Sequence, residues 1–98
     1  MLAELTHTDF ESQLGSTFNL QLNATEQLPL ALTQVQAAGQ VTPVTQRRSF
    51  SLIFRSSLPG HLPQGTYRLT QAAFGDLELF LVPIGPAAGG MQYQAVFG

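Results

Sequence analysis

The chain lacks several residue types on which common protein functions depend. None of its 98 residues is cysteine, which excludes disulfide bonds, thiolate catalysis and cysteine-ligated metal sites. Only 10% of the residues are charged, against about 25% in a typical protein. Because a formal net charge of −2 offers no broad positive surface to a phosphate backbone, we expect no nucleic-acid partner.

Lysine is also absent, so the four basic residues are all arginines, at Arg47, Arg48, Arg55 and Arg68. The polar surface must therefore come from uncharged side chains, mainly glutamine, threonine, serine and asparagine. A weakly charged surface of this kind resists self-association poorly. The composition therefore favours an oligomer or a subunit of a larger assembly.

No targeting or membrane-spanning segment is recognisable in the sequence. The first residues have neither the basic region nor the apolar core of a signal peptide. The longest uncharged and mainly apolar stretch, residues 79–91, contains prolines and glycines and is shorter than the ~20 residues of a membrane helix. We therefore expect a cytoplasmic protein with no membrane partner, with non-classical export as the alternative.

A short helix is predicted near the N-terminus. Thr8 and Glu11 have the spacing of a capping box. Phe10 and Leu14 stand one helical turn apart and predict a single apolar stripe. We predict a helix at about 9–14 that packs across an open end of a sheet.

After residue 16, apolar residues recur at every second position, which is the period of a β-strand. Strands are predicted at about 17–23, 28–37, 48–55, 66–74, 77–84 and 91–97. In the second strand the alternation inverts, which indicates a β-bulge near Thr33 and Gln34. Pro29 indicates that this strand begins at an edge.

Three further predictions concern the hairpin near residue 75. Gly75 and Asp76 lie between two apolar runs and predict a two-residue turn. The following strand has leucines on one face and Phe80 on the other, which predicts burial on both faces. Glu78 is predicted to pair with Arg68 across the hairpin.

One short helix and about six strands indicate a mainly all-β, antiparallel meander that forms a single domain over residues 1–98. Such a meander either closes into a small barrel or folds into a two-layer sandwich. The alternation of apolar residues is the same in both architectures, so both stay open at this point.

No residue pattern predicts a cofactor or a metal site. The two histidines, His7 and His61, are far apart in the sequence and neither has a second ligand at metal-binding spacing. No serine lies in a nucleophile motif. An enzyme that uses His61 with Glu78 is an alternative hypothesis, and it lacks a visible pairing of nucleophile and base.

A possible interaction surface comprises Gln64, Arg68, Arg55, Arg47 and Arg48. The three arginines at 47, 48 and 55 flank one predicted strand, and with Tyr67 they resemble the small basic patch of a single-strand-binding barrel. A solvated strand edge explains the same residues, since nucleic-acid binders usually carry more basic and aromatic side chains.

Several motifs in the chain resemble an uncharacterised bacterial family, a domain of unknown function. They are Leu62-Pro63-Gln64-Gly65-Thr66-Tyr67-Arg68-Leu69, Leu79-Phe80-Leu81-Val82-Pro83-Ile84-Gly85-Pro86, Met91-x-Tyr93-x-Ala95-Val96-Phe97 and, less specifically, Phe50-Ser51-Leu52-x-Phe54-Arg55. The resemblance implies a structural or accessory role, for example in a phage-tail-like assembly. Turn formation and core packing account for the presence of most residues in these motifs. They account least for Gln64 and Arg68.

Two non-enzymatic functions are therefore predicted. The first is a structural or interaction module that associates with itself or docks on another protein through an exposed strand edge. The second is a β-barrel that binds a small ligand in a cavity lined by aromatic side chains. The candidate lining residues are Phe50, Phe54, Tyr67, Phe80, Tyr93 and Phe97.

Overall fold

A computed structural model describes residues 7–41, 48–57, 62–87 and 90–97 of the chain. One helix and six strands follow in order: α1 (His7–Glu11), β1 (Thr17–Gln21), β2 (Gln27–Val41), β3 (Arg48–Ser56), β4 (Gly65–Gln71), β5 (Gly75–Ala87) and β6 (Gly90–Phe97). The mainly β fold with one short helix is thereby confirmed.

The six antiparallel strands close into a barrel, in the ring order β1-β2-β3-β6-β5-β4. Two three-stranded meanders, β1-β2-β3 and β4-β5-β6, are therefore joined along two seams. The seam between β3 and β6 pairs six residues of each strand. The seam between β1 and β4 pairs only Asn19 with Thr70 and Leu20 with Leu69. Of the two architectures that the sequence allowed, the chain adopts the barrel.

The alternating apolar residues of the strands fill the interior of this barrel. The helix and all six strands contribute to one buried cluster: Phe10, Phe18, Leu20, Leu28, Leu30, Leu32, Phe50, Leu52, Phe54, Leu69, Leu77, Leu79, Leu81, Tyr93, Ala95 and Phe97. The prediction that β5 is buried on both faces is wrong, because Phe80 on its outer face is 53% exposed. A single-layered barrel has no second sheet to cover that face.

Helix α1 packs across one end of the barrel and inserts Phe10, which is fully buried. The Phe10 ring centroid lies 5.0 Å from that of Phe74 and 5.5 Å from that of Phe97. Phe50 lies 5.8 Å from Phe10 and stacks on Phe97 at 4.6 Å. Phe10 therefore closes this end by contacting rings from several strands at once, and this arrangement fits the predicted position of the helix.

The helix lies earlier than the predicted range of about 9–14. Thr8 lies inside α1, so it is not the capping residue that the sequence suggested. After Glu11 the chain tightens, because the Leu14 N–H donates to the Glu11 carbonyl, three residues back, at 3.2 Å. This tighter winding changes the angular position of Leu14 relative to Phe10, and Leu14 is 49% exposed. The predicted apolar stripe is therefore wrong at Leu14.

The bulge predicted in β2 is present at Thr33. Leu32 pairs with Phe54 and Gln34 pairs with Ile53, so Thr33 is the extra residue. Its hydroxyl donates to the Ile53 carbonyl at 3.1 Å. Beyond the bulge, Gln34 and Gln36 are exposed. The strand continues to Val41, past its predicted end at 37. The bulge therefore places two glutamines, at 34 and 36, on the outside of the barrel.

Prolines in the strands lie where a strand has a neighbour on one side only. Pro29 pairs with Asn19 of β1, and pairing with β3 begins only at the next residue. In β5, pairing with β4 ends at Leu81, so Pro83 and Pro86 lie next to β6 alone. Because proline has no N–H to donate, such edges tolerate it. The predicted edge position of Pro29 is thus confirmed.

The turn between β4 and β5 ends before the predicted turn residues, Gly75 and Asp76, begin. Residues 72–74 form it, and the Phe74 N–H donates to the Gln71 carbonyl at 3.2 Å. Gly75 follows with φ +75° and pairs with Gln71, which is a three-residue loop closed by a left-handed glycine. Asp76 already lies in β5, opposite Thr70. The predicted two-residue turn is therefore wrong, although the glycine does adopt a positive φ.

Replacement of Phe10 by alanine is expected to lower the free energy of unfolding by about 3–5 kcal/mol, because it removes a fully buried ring from the end of the core. Urea unfolding monitored by circular dichroism measures the change. Leu14→Ala is the matched control, with an expected change within about 0.5 kcal/mol since the side chain is half exposed. Equal losses for the two variants would contradict the assignment of Phe10 as the closing residue.

A second prediction concerns Gly90, where β6 closely approaches the end of β3. A Cβ atom at this position would lie 1.6 Å from the Ser56 carbonyl oxygen. Gly90→Ala is therefore expected to cost about 1–3 kcal/mol of stability through forced backbone movement, measured by thermal unfolding. At Gly65 an added Cβ would meet only the Tyr67 ring, at 3.8 Å, so Gly65→Ala should leave the midpoint nearly unchanged.

Candidate interaction surface

The residues predicted to form an interaction surface are distributed around the barrel. Arg55 lies on β3 and Arg68 on β4, which are three strands apart in the six-stranded ring. Gln64 is exposed at the bend before β4. Arg48 opens β3 at the end opposite Arg55, with its side chain outside the described structure, and Arg47 lies wholly outside the described residues. The barrel therefore does not bring Arg55 and Arg68 into one patch.

Arg68 and Glu78 form the predicted pair across the β4–β5 hairpin. They lie directly opposite each other in the register, with Nη2 and Oε2 separated by 3.5 Å. Both side chains are more than half exposed. Exposed pairs of this kind contribute ~0–1 kcal/mol, so the pair is a minor element of stability. His61, the other member of the enzyme hypothesis, lies outside the described residues.

The aromatic residues considered for a ligand cavity occupy three different environments. Phe50, Phe54, Tyr93 and Phe97 pack within the buried cluster. Tyr67 is half-buried, and Phe80 is exposed on the outer face of β5. These side chains therefore fill the interior or lie outside it. An open surface depression of about 470 Å³ lies over the β1–β4 seam, and its lining residues are neutral: Thr17, Asn19, Thr70, Gln71, Ala72 and Gly75.

Two tyrosines hold the segment that precedes β4. The Leu62 N–H donates to the Tyr93 hydroxyl at 2.9 Å, and the Tyr67 hydroxyl donates to the Pro63 carbonyl at 2.6 Å. Leu62 packs against the core from this position. The Leu62–Tyr93 bond therefore joins the distant motifs around residues 62–69 and 91–97, while the Tyr67 bond holds the first motif internally. Both tyrosines thus have a structural role.

The outer faces of β3, β6 and the adjoining part of β5 form a surface that we call the outer wall. Pairing between β5 and β6 begins at Val82, and Phe80 lies on β5 just before it, opposite Thr66 of β4. Its rows follow from the register: Ser51 lies opposite Val96, Ile53 opposite Gln94, and Gln94 opposite Val82. The outer wall is defined here as Ser51, Ile53, Arg55, Phe80, Val82, Gln92, Gln94 and Val96. Arg55 is the single charged residue in this set, so the outer wall is a nearly neutral surface.

The outer wall combines exposed apolar groups with glutamine amides. Val96 is 71% exposed and is the most accessible large apolar side chain among the described residues. Ile53 points outward yet is only 5% exposed, between Gln34 and Gln94 in the register. Beside it on β2, the Gln36 amide donates to the Gln34 amide oxygen at 2.7 Å. Glutamine amides both donate and accept hydrogen bonds, so this face is chemically suited to binding polar, uncharged protein surfaces.

Gln71 is an organising residue that the sequence did not reveal. Its side chain is buried, and its amide oxygen accepts from the Ala73 N–H at 2.6 Å and from the Phe74 N–H at 3.2 Å. Its amide nitrogen donates to the Gln13 side chain at 2.7 Å. Gln71 therefore joins the β4–β5 turn to the segment after α1. A glutamine within a polar turn carries no sequence signal of burial.

Replacement of Gln71 by alanine is expected to cost about 1–3 kcal/mol, because it leaves the Ala73 N–H and the Gln13 amide oxygen without their partner. Urea unfolding measures the loss. Gln64→Ala, at an exposed glutamine of the same chain, should change the free energy of unfolding by less than about 0.5 kcal/mol. Indistinguishable effects of the two substitutions would overturn the role of Gln71.

No helix in the described ranges is long and apolar enough to cross a membrane. The same residues contain no group of three or more histidine and carboxylate side chains positioned to hold a metal ion.

Comparison with known proteins places the chain in a family. A family model described as "Domain of unknown function (DUF6916)" matches residues 5–97, so the chain belongs to that family. No curated protein matches the chain. No solved structure matches it either.

Proposed function

We propose that this DUF6916 protein is a non-enzymatic structural or interaction module that associates with further copies of itself in a larger assembly. The observation that carries the proposal is the nearly neutral outer wall, with Val96 and Phe80 exposed among glutamine amides. The resemblance in sequence suggests a phage-tail-like assembly as the setting. The packed interior supports a function on the outside of the barrel rather than within it.

A second copy is the partner that suits the charge of the outer wall. In a two-fold symmetric interface the same patch is present on both subunits, so a patch whose charges are all of one sign meets a patch of that same sign. The outer wall carries only Arg55, and Glu78 beyond Phe80 is already paired with Arg68. Two outer walls therefore approach each other with little like-charge repulsion, while glutamine amides supply both donors and acceptors.

Apolar burial provides the free energy for this association. Each square ångström of apolar surface removed from water contributes about 25 cal/mol. Val96 and Phe80 are the large exposed apolar residues of the outer wall. The low formal net charge of −2 adds little long-range repulsion between copies.

Light scattering on a sizing column, over a range of concentrations, tests this function. The wild-type chain is expected to exceed its monomer mass of 10.6 kDa, and Val96→Arg is expected to reduce the measured mass because it places like charges opposite each other. Thr17→Arg is the matched control, since Thr17 is an exposed β-branched residue on β1, across the barrel from β6. A wild-type monomer at every concentration would overturn self-association.

A further inference from the structure

Strand β2 continues beyond the end of its neighbour β1, which leaves one of its sides as an edge of the barrel wall. β1 pairs with β2 only as far as Ala31, and backbone bonds from Gly15 and Ser16 extend this contact to Leu32. From residue 33 to 41, none of the described strands pairs with that side of β2, while β3 pairs with the other side. We call residues 33–41 the β2 edge. Within the described residues, its extended backbone has no strand partner for the N–H and C=O groups on this side.

Strand β5 also has an edge of this kind, and strand addition at that edge is blocked. Beyond Leu81, β5 pairs with β6 alone. This segment contains Pro83 and Pro86 and a register shift at Ile84, all of which hinder the addition of another strand. The β2 edge has neither proline nor a charged residue in its sequence, Thr-Gln-Val-Gln-Ala-Ala-Gly-Gln-Val. Register shifts occur in both edges, because β2 has its bulge at Thr33 and a second shift between Ala37 and Val41. The two edges therefore differ in their prolines, which only the β5 edge contains.

We propose that the β2 edge pairs antiparallel with the β2 edge of a second copy. The inference rests on the proposed self-association and names a backbone contact in addition to the outer wall. An antiparallel pair of identical strands is two-fold symmetric, so each edge satisfies the other. Since the segment has no charged residue, no like charges meet across the pair. Gln34 and Gln36 are exposed on its outer face and can continue their amide hydrogen bonding into the second copy.

Two self-complementary surfaces on one chain have a defined consequence for the assembly. The outer wall lies on β3, β6 and β5. The β2 edge is the side of β2 that faces away from β3. Each surface alone joins two copies. Both together join copies into a longer series, and loss of either one leaves a dimer held by the other.

Adjacent proline substitutions in the β2 edge test the inference. Along a strand, successive N–H groups alternate between its two sides, so one of Val35→Pro and Gln36→Pro removes a bond to β3 and the other removes an outward N–H. Circular dichroism identifies the folded variant of the two. In a Val96→Arg background the chain is expected to be a dimer of twice 10.6 kDa, and the folded proline variant in that background is expected to be a monomer.

If neither proline variant folds, a variant that combines Gln34→Lys and Gln36→Lys is used instead of the proline variant. Lysines on an edge strand oppose pairing with a second copy. Hydrogen exchange supplies an independent readout. Among residues 33–37, the backbone amides that face away from β3 should exchange at least tenfold more slowly in the Val96→Arg dimer than in the monomeric double variant. Contact through side chains alone would leave these amides unprotected.

The possible failures are distinguishable. A monomeric Val96→Arg chain, or equal exchange at residues 33–37 in dimer and monomer, overturns the pairing of β2 edges. In either case a wild-type multimer would still support the proposed function. A wild-type chain that stays at 10.6 kDa at every concentration overturns both.

Discussion

A closed β-barrel builds its own wall, but the strands alone do not fill its ends. In this chain the helix that precedes β1 supplies Phe10 to one end, where it contacts rings from β1, β3, β6 and the β4–β5 turn. At the other end, Leu62 packs inward and is held by the Tyr93 hydroxyl. Because both meanders contribute rings around Phe10, one side chain ties the two halves of the barrel together.

This way of filling the barrel supports the proposal that function lies on the outer surface. The interior is occupied by large apolar side chains contributed by every strand, and its aromatic residues are used for packing. The polar and chemically variable positions are consequently on the outside, where glutamine, serine and threonine predominate over charged residues. In the proposed self-association, a surface of this composition would rely on shape and neutral hydrogen bonding more than on electrostatic attraction.

Local alternation predicted the strands, the bulge at Thr33 and the Arg68–Glu78 pair, because each depends on residues close together in the chain. The exposure of Phe80 was not predictable, since alternation does not reveal whether a second layer covers a strand. The interaction surface depends on strand order. Only the ring order shows that β3 and β4 lie apart and that β3, β6 and β5 share one face.

The two seams of the barrel also bear on how the chain folds. Each meander forms from neighbouring hairpins, whereas the β3–β6 seam joins the middle of the chain to its end and the β1–β4 seam rests on two residue pairs. Folding rates fall as the sequence separation of contacting residues increases, so closure of the seams is the expected slow step. Until they close, each meander exposes an apolar face and two strand edges with few charges to keep copies apart. The period before closure is therefore when this chain is most prone to aggregate.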